Sequence, residues 1–445
     1  MSKVLIRGGR VIDPANEVDA TFDILVENGR IMSIAENLAV KNAEIIEARD
    51  MIVTPGLIDI HVHLREPGRE DEETIRTGTR AAIKGGFTSV ACMPNTNPVA
   101  DTASVVETIL EKSREEGIAS VFPVAAITKG LKGKELAEMG ELVKAGAVAF
   151  SDDGESVMNA EVMRRAFEYS RMFNIPLVAH AEDKNLSSHG QMNEGFYSTL
   201  LGLKGIPAAA EEVMVARDII LAGVTEGRLH IAHISTEGSV ALIRMAKKAG
   251  IRVTCDVTPH HLVLTDEVLM NFDTNFKVNP PLRSQRDVQA LLEGLSDGTI
   301  DAIASDHAPH ALHEKEREFD RAPFGIVGLE TTLPLMLTKV VETGVLDLPR
   351  LIAKLTINPA NTLGIRKGSL SIGSDADITI FDHKAKLKVD INRFESKSKN
   401  SPFHGWELNG IVKYVLVAGE IVIREGNIVE GREMKVKDRE SRTRG

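Results

Sequence analysis

Apolar runs and helical patterns alternate through the middle of the chain, from residue 56 to about residue 360. Eight short runs rich in apolar and β-branched residues are typical of buried strands: GLIDIHVHL, TSVACMP, SVFPVAAIT, AVAFSDD, IPLVAHAED, LHIAHIST, IRVTCDVTPHH and DAIASDHAP. Between them, segments such as DEETIRTGTRAAIKGG and NAEVMRRAFEYSRMF have the spacing of amphipathic helices. Repeated strand–helix units predict an α/β fold, a (β/α)8 TIM-like barrel. A doubly wound open sheet is the alternative, but the first strand lacks that fold's glycine-rich phosphate-binding turn.

The two ends of the chain share a different pattern, in which short apolar runs stand beside glycine-centred turns. VLIRGGRVID and DILVENGRIMSIAE have it near the start, and SDADITIFD and GIVKYVLVAGEIVIREGNIV have it near the end. We therefore predict one small composite β-sandwich domain, formed by residues 1–55 and 361–432, beside a barrel domain of residues 56–360. Residues 433–445 mix both signs of charge and are predicted to be a flexible tail.

Composition narrows the classes of function. The 445 residues carry a net charge of −11, which disfavours nucleic acid and anionic membranes and favours a small-molecule substrate. No apolar stretch is long enough for a membrane helix, and the first residues lack a secretory signal. The two cysteines, Cys92 and Cys255, lie in strand-like runs and are expected to be buried thiols. The sequence thus predicts a cytoplasmic protein.

Candidate chemistry appears where the predicted strands end, the face on which barrel enzymes carry their active sites. The first strand ends in His61 and His63, whose side chains, two residues apart, point to the same side. Other strand ends supply the rest of a possible ligand set: Asp152-Asp153, His180, His233 and Asp306. A buried group of this kind needs a shared cation, because unpaired buried charges are costly.

The donor types indicate which metal would bind. Imidazole and carboxylate without thiolate suit Zn²⁺ and, less securely, Mn²⁺, Co²⁺ or Fe²⁺. Six ligands exceed one tetrahedral ion, so we expect one or two Zn²⁺ per chain, and two use the whole set. A bound metal lowers the pKa of water to about 7, which provides hydroxide at neutral pH. Asp306 is the candidate general acid/base, ligating the metal while moving the proton of the attacking water.

Five sequence blocks carry a resemblance to a known family. They are DIHVHLREPG at 59–68, MPNT at 93–96, NPPLR at 279–283, SDHAPH at 305–310 and PFGIVGLE at 323–330. With them, essentially the whole chain resembles the amidohydrolase superfamily and, within it, class I dihydroorotase. The resemblance implies reversible closure of N-carbamoyl-L-aspartate to L-dihydroorotate with loss of water, a step of pyrimidine (UMP) biosynthesis.

Carried over residue by residue, the resemblance assigns roles. It implies that His61 and His63 bind one metal with Asp306, that His180 and His233 bind the second, and that Asp153 bridges the two. It also implies a set of substrate contacts, in which Arg65, Asn95 and His310 hold a carboxylate and the others lie around the ring: His63, Arg65, Asn95, Asn279, His310, Phe324 and Gly325. A planar guanidinium suits a carboxylate because the two can form parallel hydrogen bonds. A homodimer is expected, and association with aspartate carbamoyltransferase is open.

One position departs from the usual superfamily pattern. Many members carry a carboxylated lysine as the bridge after the fourth strand, whereas this chain has Asp152-Asp153 there and its nearest lysine, Lys144, lies upstream. A subset of class I dihydroorotases is similar in using aspartate. The preference for Asp153 over Asp152 rests on the resemblance alone, and the shorter side chain leaves the occupancy of the second metal site open.

Two other functions stay open at this point. Allantoinases and hydantoinases, which also hydrolyse cyclic amides, resemble the chain, but Arg65 and His310 favour a substrate that bears a carboxylate. A non-catalytic scaffold relative is the other alternative, although the complete ligand set argues against it. The charged loop HALHEKEREFDRAPFG after strand eight is either a solvated loop or a cover over the substrate.

Overall fold

The computed structural model describes residues 3–430, and it contains nineteen strands. In chain order they are β1 Lys3–Asp13, β2 Val18–Glu27, β3 Arg30–Ala35, β4 Glu44–Glu47, β5 Ile52–Pro55, β6 Leu57–Val62, β7 Phe87–Cys92, β8 Ser120–Ala125, β9 Ala149–Ser151, β10 Leu177–Ala179, β11 Met192–Asn193, β12 Gly205–Ile206, β13 Leu229–Ile231, β14 Val253–Val257, β15 Ala302–Ile303, β16 Ile378–Lys388, β17 Glu407–Val417, β18 Glu420–Arg424 and β19 Asn427–Ile428. The predicted tail, residues 433–445, lies outside the described residues.

Fourteen α-helices lie among the described residues, and several begin at a capping side chain or end at a glycine. They are α1 Ile75–Lys84, α2 Ala103–Glu116, α3 Met139–Ala145, α4 Ala160–Arg171, α5 Lys184–Ser187, α6 Phe196–Leu201, α7 Ala209–Thr225, α8 Glu237–Lys248, α9 Pro259–Val263, α10 Gln285–Asp297, α11 Leu312–Lys315, α12 Thr332–Met336, α13 Leu348–Leu355 and α14 Ile357–Leu363. Ser284 caps α10 by accepting the N–H of Asp287, whose side chain accepts back from the Ser284 N–H. Gly298, with φ 86°, ends the same helix in the left-handed conformation that glycine adopts without strain.

Eight parallel strands form the barrel that the sequence predicts. Their order is β15-β14-β13-β10-β9-β8-β7-β6, with each neighbouring pair parallel. A bridge between Val62 and His307, together with the hydrogen bond from the His63 N–H to the His307 carbonyl at 2.8 Å, nearly closes the ring. The doubly wound alternative is therefore excluded.

Small and branched side chains fill the barrel interior below the site. Ile58 and Ile60 from β6 form one buried cluster with alanines and valines from most other barrel strands, and Ala360 and Leu363 of α14 join it. A larger core lies between the strands and the surrounding helices. The filled interior leaves the loops after the strands as the place for chemistry.

Strands from both ends of the chain form the second domain, as predicted. The hydrogen-bonded order is β19-β18-β17-β16-β5-β1-β2-β3, with β4 beside β1 in the same nine-stranded sheet. The antiparallel pairing of β5 with β16, in which Val53 faces Ile380, joins the two ends. Both ends also contribute to one buried cluster, for example Ile6 and Ile24 with Leu416 and Ile421.

The sequence also predicts the state of the cysteines and bears on the length of apolar helices. Cys92 and Cys255 are buried free thiols, as the sequence predicts, and burial raises the pKa of the Cys92 thiol to about 12. Among the described residues, no helix is long and apolar enough to cross a membrane.

Candidate active site

The ends of five barrel strands bring the six predicted ligand residues together. His61 lies within β6 and His63 just after it, while the others follow the ends of their strands by one to three residues: Asp153 after β9, His180 after β10, His233 after β13 and Asp306 after β15. All six are buried. Two overlapping groups have their donor atoms within 4.8 Å of one another: His61, His63 and Asp306, and His61, Asp153 and His233.

Asp153 lies at the centre of the group. Its Oδ1 is 3.3 Å from Nε2 of His61, 3.6 Å from Nε2 of His233 and 3.7 Å from Nδ1 of His180. Its Oδ2 is 3.5 Å from Nε2 of His63. One carboxylate thus faces all four imidazoles, which is the arrangement expected of a residue that bridges two cation positions.

Asp306 faces the first pair of histidines. Its Oδ1 lies 3.2 Å from Nε2 of His63 and 3.6 Å from Nε2 of His61. Both Asp306, with φ 46°, and His233, with φ 36°, adopt positive backbone angles. Such angles are strained for residues other than glycine and are retained mainly where surrounding contacts impose them.

Two buried carboxylates that sequence reasoning missed hold the backbone of the site. Oδ1 of Asp256 accepts the N–H of His233 at 2.8 Å. Asp59 accepts the N–H of Ser305 at 3.1 Å and that of His61 at 3.1 Å, which ties β6 to the segment before Asp306. Their place inside the strand motifs DIHVH and TCDVT was the available signal.

Electrostatics indicate that the group lacks positive charge. Burial alone would lower the pKa of His61, but the charge and hydrogen bond of Asp153 together with the charges of Asp306 and Asp256 outweigh it and raise this pKa to about 10. Burial would likewise raise the pKa of Asp306, yet the hydrogen bond from His63 and the charges of His61 and His63 lower it on balance. Two carboxylates among four buried imidazoles therefore attract protons or another cation.

Unpartnered donor atoms test whether a metal fits. Both ring nitrogens of His61 and Oδ1 of Asp153 are buried without a hydrogen-bond partner among the described residues. Nδ1 of His180 and Nε2 of His233 face each other at 3.1 Å. Orphaned buried donors and converging ring nitrogens are what a metal site requires, so the residues fit divalent cations.

Glu182, which the sequence reasoning also missed, orients His180. Its Oε2 lies 2.9 Å from Nε2 of His180 and accepts from Lys184 Nζ at 2.8 Å and from Asn279 Nδ2 at 2.9 Å. A proton on Nε2 that is donated to Glu182 leaves the lone pair of Nδ1 directed at the centre. Asn279, a predicted substrate contact, is thereby held beside the ligand group. The acidic residue in the HAED motif was the signal.

The predicted carboxylate-binding residues lie together at the same rim. Asn95 Oδ1 is 2.9 Å from Nδ1 of His63, so Asn95 borders the histidine centre. Arg65 Nε donates to the Pro309 carbonyl at 3.1 Å, and Arg65 Nη2 is 3.4 Å from Nε2 of His310. Arg65 is buried, and this burial lowers the pKa of its guanidinium.

The loop after β15, the eighth strand of the barrel, is fastened by two buried lysines. Lys277 Nζ donates to the carbonyls of Phe319 and Ala322 at 2.6 and 2.7 Å, and its ammonium lies 4.6 Å from the centre of the Phe324 ring. Lys315 Nζ donates to the carbonyls of Pro323 and Gly325 at 2.9 and 3.1 Å. The predicted contacts Phe324 and Gly325 therefore belong to an ordered loop.

Neighbouring candidates have other partners. Oδ1 of Asp152 accepts the N–H groups of Ile127 and Thr128, both at 2.9 Å, so this carboxylate is turned away from the histidines. Lys144 is exposed on α3 and pairs with Glu141 at 2.9 Å. His261 bonds Thr258 and the Pro280 carbonyl, a structural role. These contacts favour Asp153 at the centre.

Comparison with known proteins agrees with the fold and places the chain among cyclic amide hydrolases. A family model described as Dihydro-orotase-like matches residues 50–239, and one described as Amidohydrolase family matches residues 286–423. The dihydroorotase of Acetivibrio thermocellus is 55% identical over 422 residues, which are 95% of this chain and 99% of that protein. The dihydroorotase of Pelotomaculum thermopropionicum is 55% identical over 423 residues, again 95% of this chain and 99% of the relative.

Solved structures of related enzymes have the same architecture. The L-hydantoinase (dihydropyrimidinase) of Arthrobacter aurescens superposes with a TM-score of 0.88 at 28% identity, covering 96% of this chain and 98% of that one. The dihydropyrimidinase of Brevibacillus agri superposes with a TM-score of 0.85 at 23% identity and covers 96% of each chain. The second likeness shows the fold alone.

A parallel barrel with histidines and aspartates at the carboxyl ends of its strands, beside a sheet built from both termini, defines the hydrolases of the amidohydrolase superfamily. Within that class, identities above 50% over nearly the whole length decide the family. The chain belongs to the dihydroorotase family of cyclic amide hydrolases.

Proposed function

We propose that this chain catalyses the reversible closure of N-carbamoyl-L-aspartate to L-dihydroorotate and water, in de novo pyrimidine biosynthesis. One observation carries the proposal: the histidine–aspartate centre and the cluster of Arg65, Asn95 and His310 share one rim, joined where Asn95 contacts His63 at 2.9 Å. Dihydroorotate has a ring amide that suits the histidine–aspartate centre and a carboxylate that suits Arg65, Asn95 and His310. The curated relatives at 55% identity support the same reaction.

The residues that would hold metal are proposed from the resemblance, and the short distances among them support the proposal. His61 and His63 with Asp306 would hold one ion, His180 and His233 would hold the other, and Asp153 faces all four histidines. We propose Zn²⁺, two ions per chain, because imidazole and carboxylate donors suit it and the two described cysteines are buried elsewhere in strands. The chemistry that such ions supply is Lewis-acid activation of water and of a carbonyl group.

Asp306 moves the proton. Its lowered pKa keeps the carboxylate ionised at neutral pH, as a base requires, and its Oδ1 faces the histidine centre. In the hydrolytic direction we propose that Asp306 takes the proton of the attacking water and returns it to the ring nitrogen as the amide bond breaks. In the closing direction the same residue removes a proton from the carbamoyl nitrogen and delivers it to departing water. General acid–base catalysis of this kind contributes about 10²- to 10⁴-fold.

The other side chains bind and orient. Arg65 and His310 are proposed to hold the substrate carboxylate, and Asn279 with the backbone at Phe324-Gly325 is proposed to contact the ring amides. Lys277 and Lys315 keep that backbone in place through their bonds to loop carbonyls. A fixed loop restricts water at the ring and aligns the reacting carbonyl.

Substrate discrimination tests the proposal. Metal-reconstituted protein is incubated separately with dihydroorotate, allantoin and dihydrouracil, and ring opening is followed by absorbance or chromatography. We expect turnover of dihydroorotate alone, because a buried arginine left without its carboxylate disfavours the neutral rings. Turnover of only a neutral ring reassigns the enzyme to the hydantoinase or allantoinase type. Failure with all three, with metal bound, supports a non-catalytic scaffold instead.

Assembly and location stay predictions. A homodimer, contact with aspartate carbamoyltransferase and a cytoplasmic location come from the resemblance and the composition. An ordered loop at Phe324-Gly325 favours activity without a partner, since two lysines of the chain itself fasten it.

A further inference from the structure

A buried acidic side chain joins the two loops that carry the proposed carboxylate-binding residues. Glu72 lies in the loop between β6 and α1, and its side chain is fully buried, with 0% of its surface exposed. Its Oε2 is 3.0 Å from Nε of Arg65, and its Oε1 is 2.9 Å from Nδ1 of His310. Oε1 also accepts a hydrogen bond from Arg69. Three nitrogen atoms from two loops therefore lie around one carboxylate: those of His310 and Arg69 at Oε1, and that of Arg65 as an ion pair at Oε2, which accepts no hydrogen bond within residues 3–430.

The backbone around Glu72 is fixed as firmly as its side chain. The Glu72 N–H donates to the Arg69 carbonyl at 3.0 Å, and its own carbonyl accepts from the Ser398 hydroxyl at 2.7 Å. On the opposite loop, the His310 N–H donates to Asn400 at 3.2 Å. Residues of the 398–400 segment thus anchor both sides of the contact, so the carboxylate has one position.

Charge explains why a carboxylate is needed there. Arg65 and the His310 ring approach to 3.4 Å, and burial together with the arginine's charge lowers the pKa of the imidazole, so the ring is neutral. Nε2 of His310 also lies 2.8 Å from the Phe324 carbonyl. The Glu72 carboxylate offsets the charge of the buried guanidinium and lies 2.9 Å from Nδ1 of the neutral ring, where it can accept the proton on that nitrogen.

A metal ion does not account for the same group. Glu72, His310 and Glu314 place donor atoms within 4.8 Å of one another and could by spacing alone hold a cation. Two guanidinium groups, those of Arg65 and Arg69, already neutralise Glu72, and a further cation would be repelled by both. The group is therefore an ion-pair network.

The orientation of Arg65 leaves part of its guanidinium group available to a substrate carboxylate. Its Nε–H donates to the Pro309 carbonyl, Oε2 of Glu72 lies 3.0 Å from the same nitrogen, and Nη2 is beside His310, whereas Nη1 has no hydrogen-bond partner within residues 3–430. The Nη groups are the pair that meets a carboxylate side by side. Glu72 lies on the Nε side of the guanidinium, and Nη1 is therefore on the side away from Glu72.

We propose that Glu72 is the positioning residue of the substrate-carboxylate site: it holds Arg65 and His310 in one fixed geometry and thereby sets the preference for ring substrates that bear a carboxylate. This inference rests on the proposed function. Glu72 acts through Arg65 and His310 and does not itself touch the substrate, since its side chain is fully buried and its oxygens face these two residues and Arg69.

The test is a steady-state comparison of Glu72→Gln with the unaltered enzyme on dihydroorotate. Glutamine has the same size but no charge, so Arg65 and His310 lose their common partner while the histidine–aspartate centre stays intact. We expect KM to rise about 10-fold or more with kcat changed little, because misplaced binding groups weaken uniform binding. Bound metal per chain, measured by elemental analysis, is expected to stay the same.

A neighbouring residue provides the matched control. Asp71 is exposed in the same loop, so Asp71→Asn removes the same charge without touching the network, and its KM is expected to match that of the unaltered enzyme. Glu72→Asp keeps the charge but shortens the reach, and we expect a KM between those of the unaltered enzyme and Glu72→Gln. This variant also serves if Glu72→Gln does not fold.

The outcomes distinguish failure of the proposed activity from failure of the positioning role of Glu72. If the unaltered enzyme does not turn over dihydroorotate, the proposed function fails. If it does, but Glu72→Gln and Glu72→Asp keep the KM of the unaltered enzyme, the positioning role is overturned and the proposed function stands. A fall in kcat and bound metal with KM unchanged also overturns it, because Glu72 would then support the metal centre.

Discussion

Burial and charge act against each other at four residues of the site: His61, Asp153, His233 and Asp306. Burial favours the neutral form of His61 and of Asp306, yet each is drawn to its charged form by neighbours of opposite sign. His233 and Asp306 accept strained backbone angles to reach the same place. Residues in this condition persist only where the surrounding fold holds them, which is typical of functional sites.

Arg65 allows the first prediction at this scale. In Arg65→Ala the substrate carboxylate loses its guanidinium partner, and we expect kcat/KM for dihydroorotate to fall at least about 100-fold, as for a charged hydrogen bond of about 3 kcal/mol. Bound metal, measured by elemental analysis, is expected to be unchanged. Arg76→Ala, which alters an exposed arginine on α1, is the control. Loss of metal along with activity would show that Arg65 acts structurally.

Single elements provide the site with its precision. Strands β9, β10, β13 and β15 end at the rim, and the segment after each carries one ligand residue. The segment after β15 contains α11 and is long and charged, and it is fastened by Lys277 and Lys315. An ammonium that is buried among carbonyls orders a loop that otherwise would be solvated.

Lys315 makes stability depend on pH at this scale. Burial lowers its pKa from 10.5 to about 7, so between these values the unfolded chain binds a proton that the folded chain does not. The free energy of unfolding contributed by this group therefore rises as pH increases above about 7. From pH 7 to pH 9 the unaltered protein should gain about 2 kcal/mol relative to Lys315→Met, since one pKa unit corresponds to about 1.4 kcal/mol.

Denaturant unfolding of both proteins at the two pH values measures this gain. The difference between the proteins removes the contribution of other titrating groups, because these are common to both. A difference that is constant with pH, or that falls, contradicts a buried lysine of lowered pKa.

At the scale of the whole molecule, the site and the fold are coupled. The ligand residues come from β6, β9, β10, β13 and β15, which span the full ring of the barrel, so an ion that they share connects strands distant in sequence. The nine-stranded sheet couples the two ends of the chain in the same way, through β5 and β16. Folding must therefore complete the ring before the site exists.

Metal removal tests this coupling. Dialysis against a chelator should abolish dihydroorotate turnover and lower the thermal midpoint, because an ion that binds only the folded chain stabilises it by mass action. Addition of Zn²⁺ should restore both. The double variant His61→Ala, His63→Ala serves as the reference. We expect it to bind less metal than the unaltered protein, and we expect Zn²⁺ bound by His61 and His63 to contribute nothing to its thermal midpoint. Full metal content and full activity in this variant would refute the metal site.

The fold class and most of the site could be predicted from local sequence. Apolar runs of strand length between helical patterns, with polar residues directly after them, predict a barrel and its catalytic rim, because parallel strands all end on one face. His61 and His63 could be paired from their spacing alone. Four carboxylates were missed although they lie in visible motifs, since each also depends on a contact with another segment of the chain: Glu72 with His310, Glu182 with Asn279, Asp59 with Ser305 and Asp256 with His233.

The order of apolar and polar residues by itself determined the barrel, the composite sheet and the set of groups at the rim, because strand and helix periodicity are local properties. Tertiary structure decided which of two adjacent aspartates faces the histidines. The N–H groups of Ile127 and Thr128 bind Asp152, and so only Asp153 is left to the centre. It also decided that the loop before Gly325 is ordered, because the lysines that fasten it are buried by packing that no single segment contains.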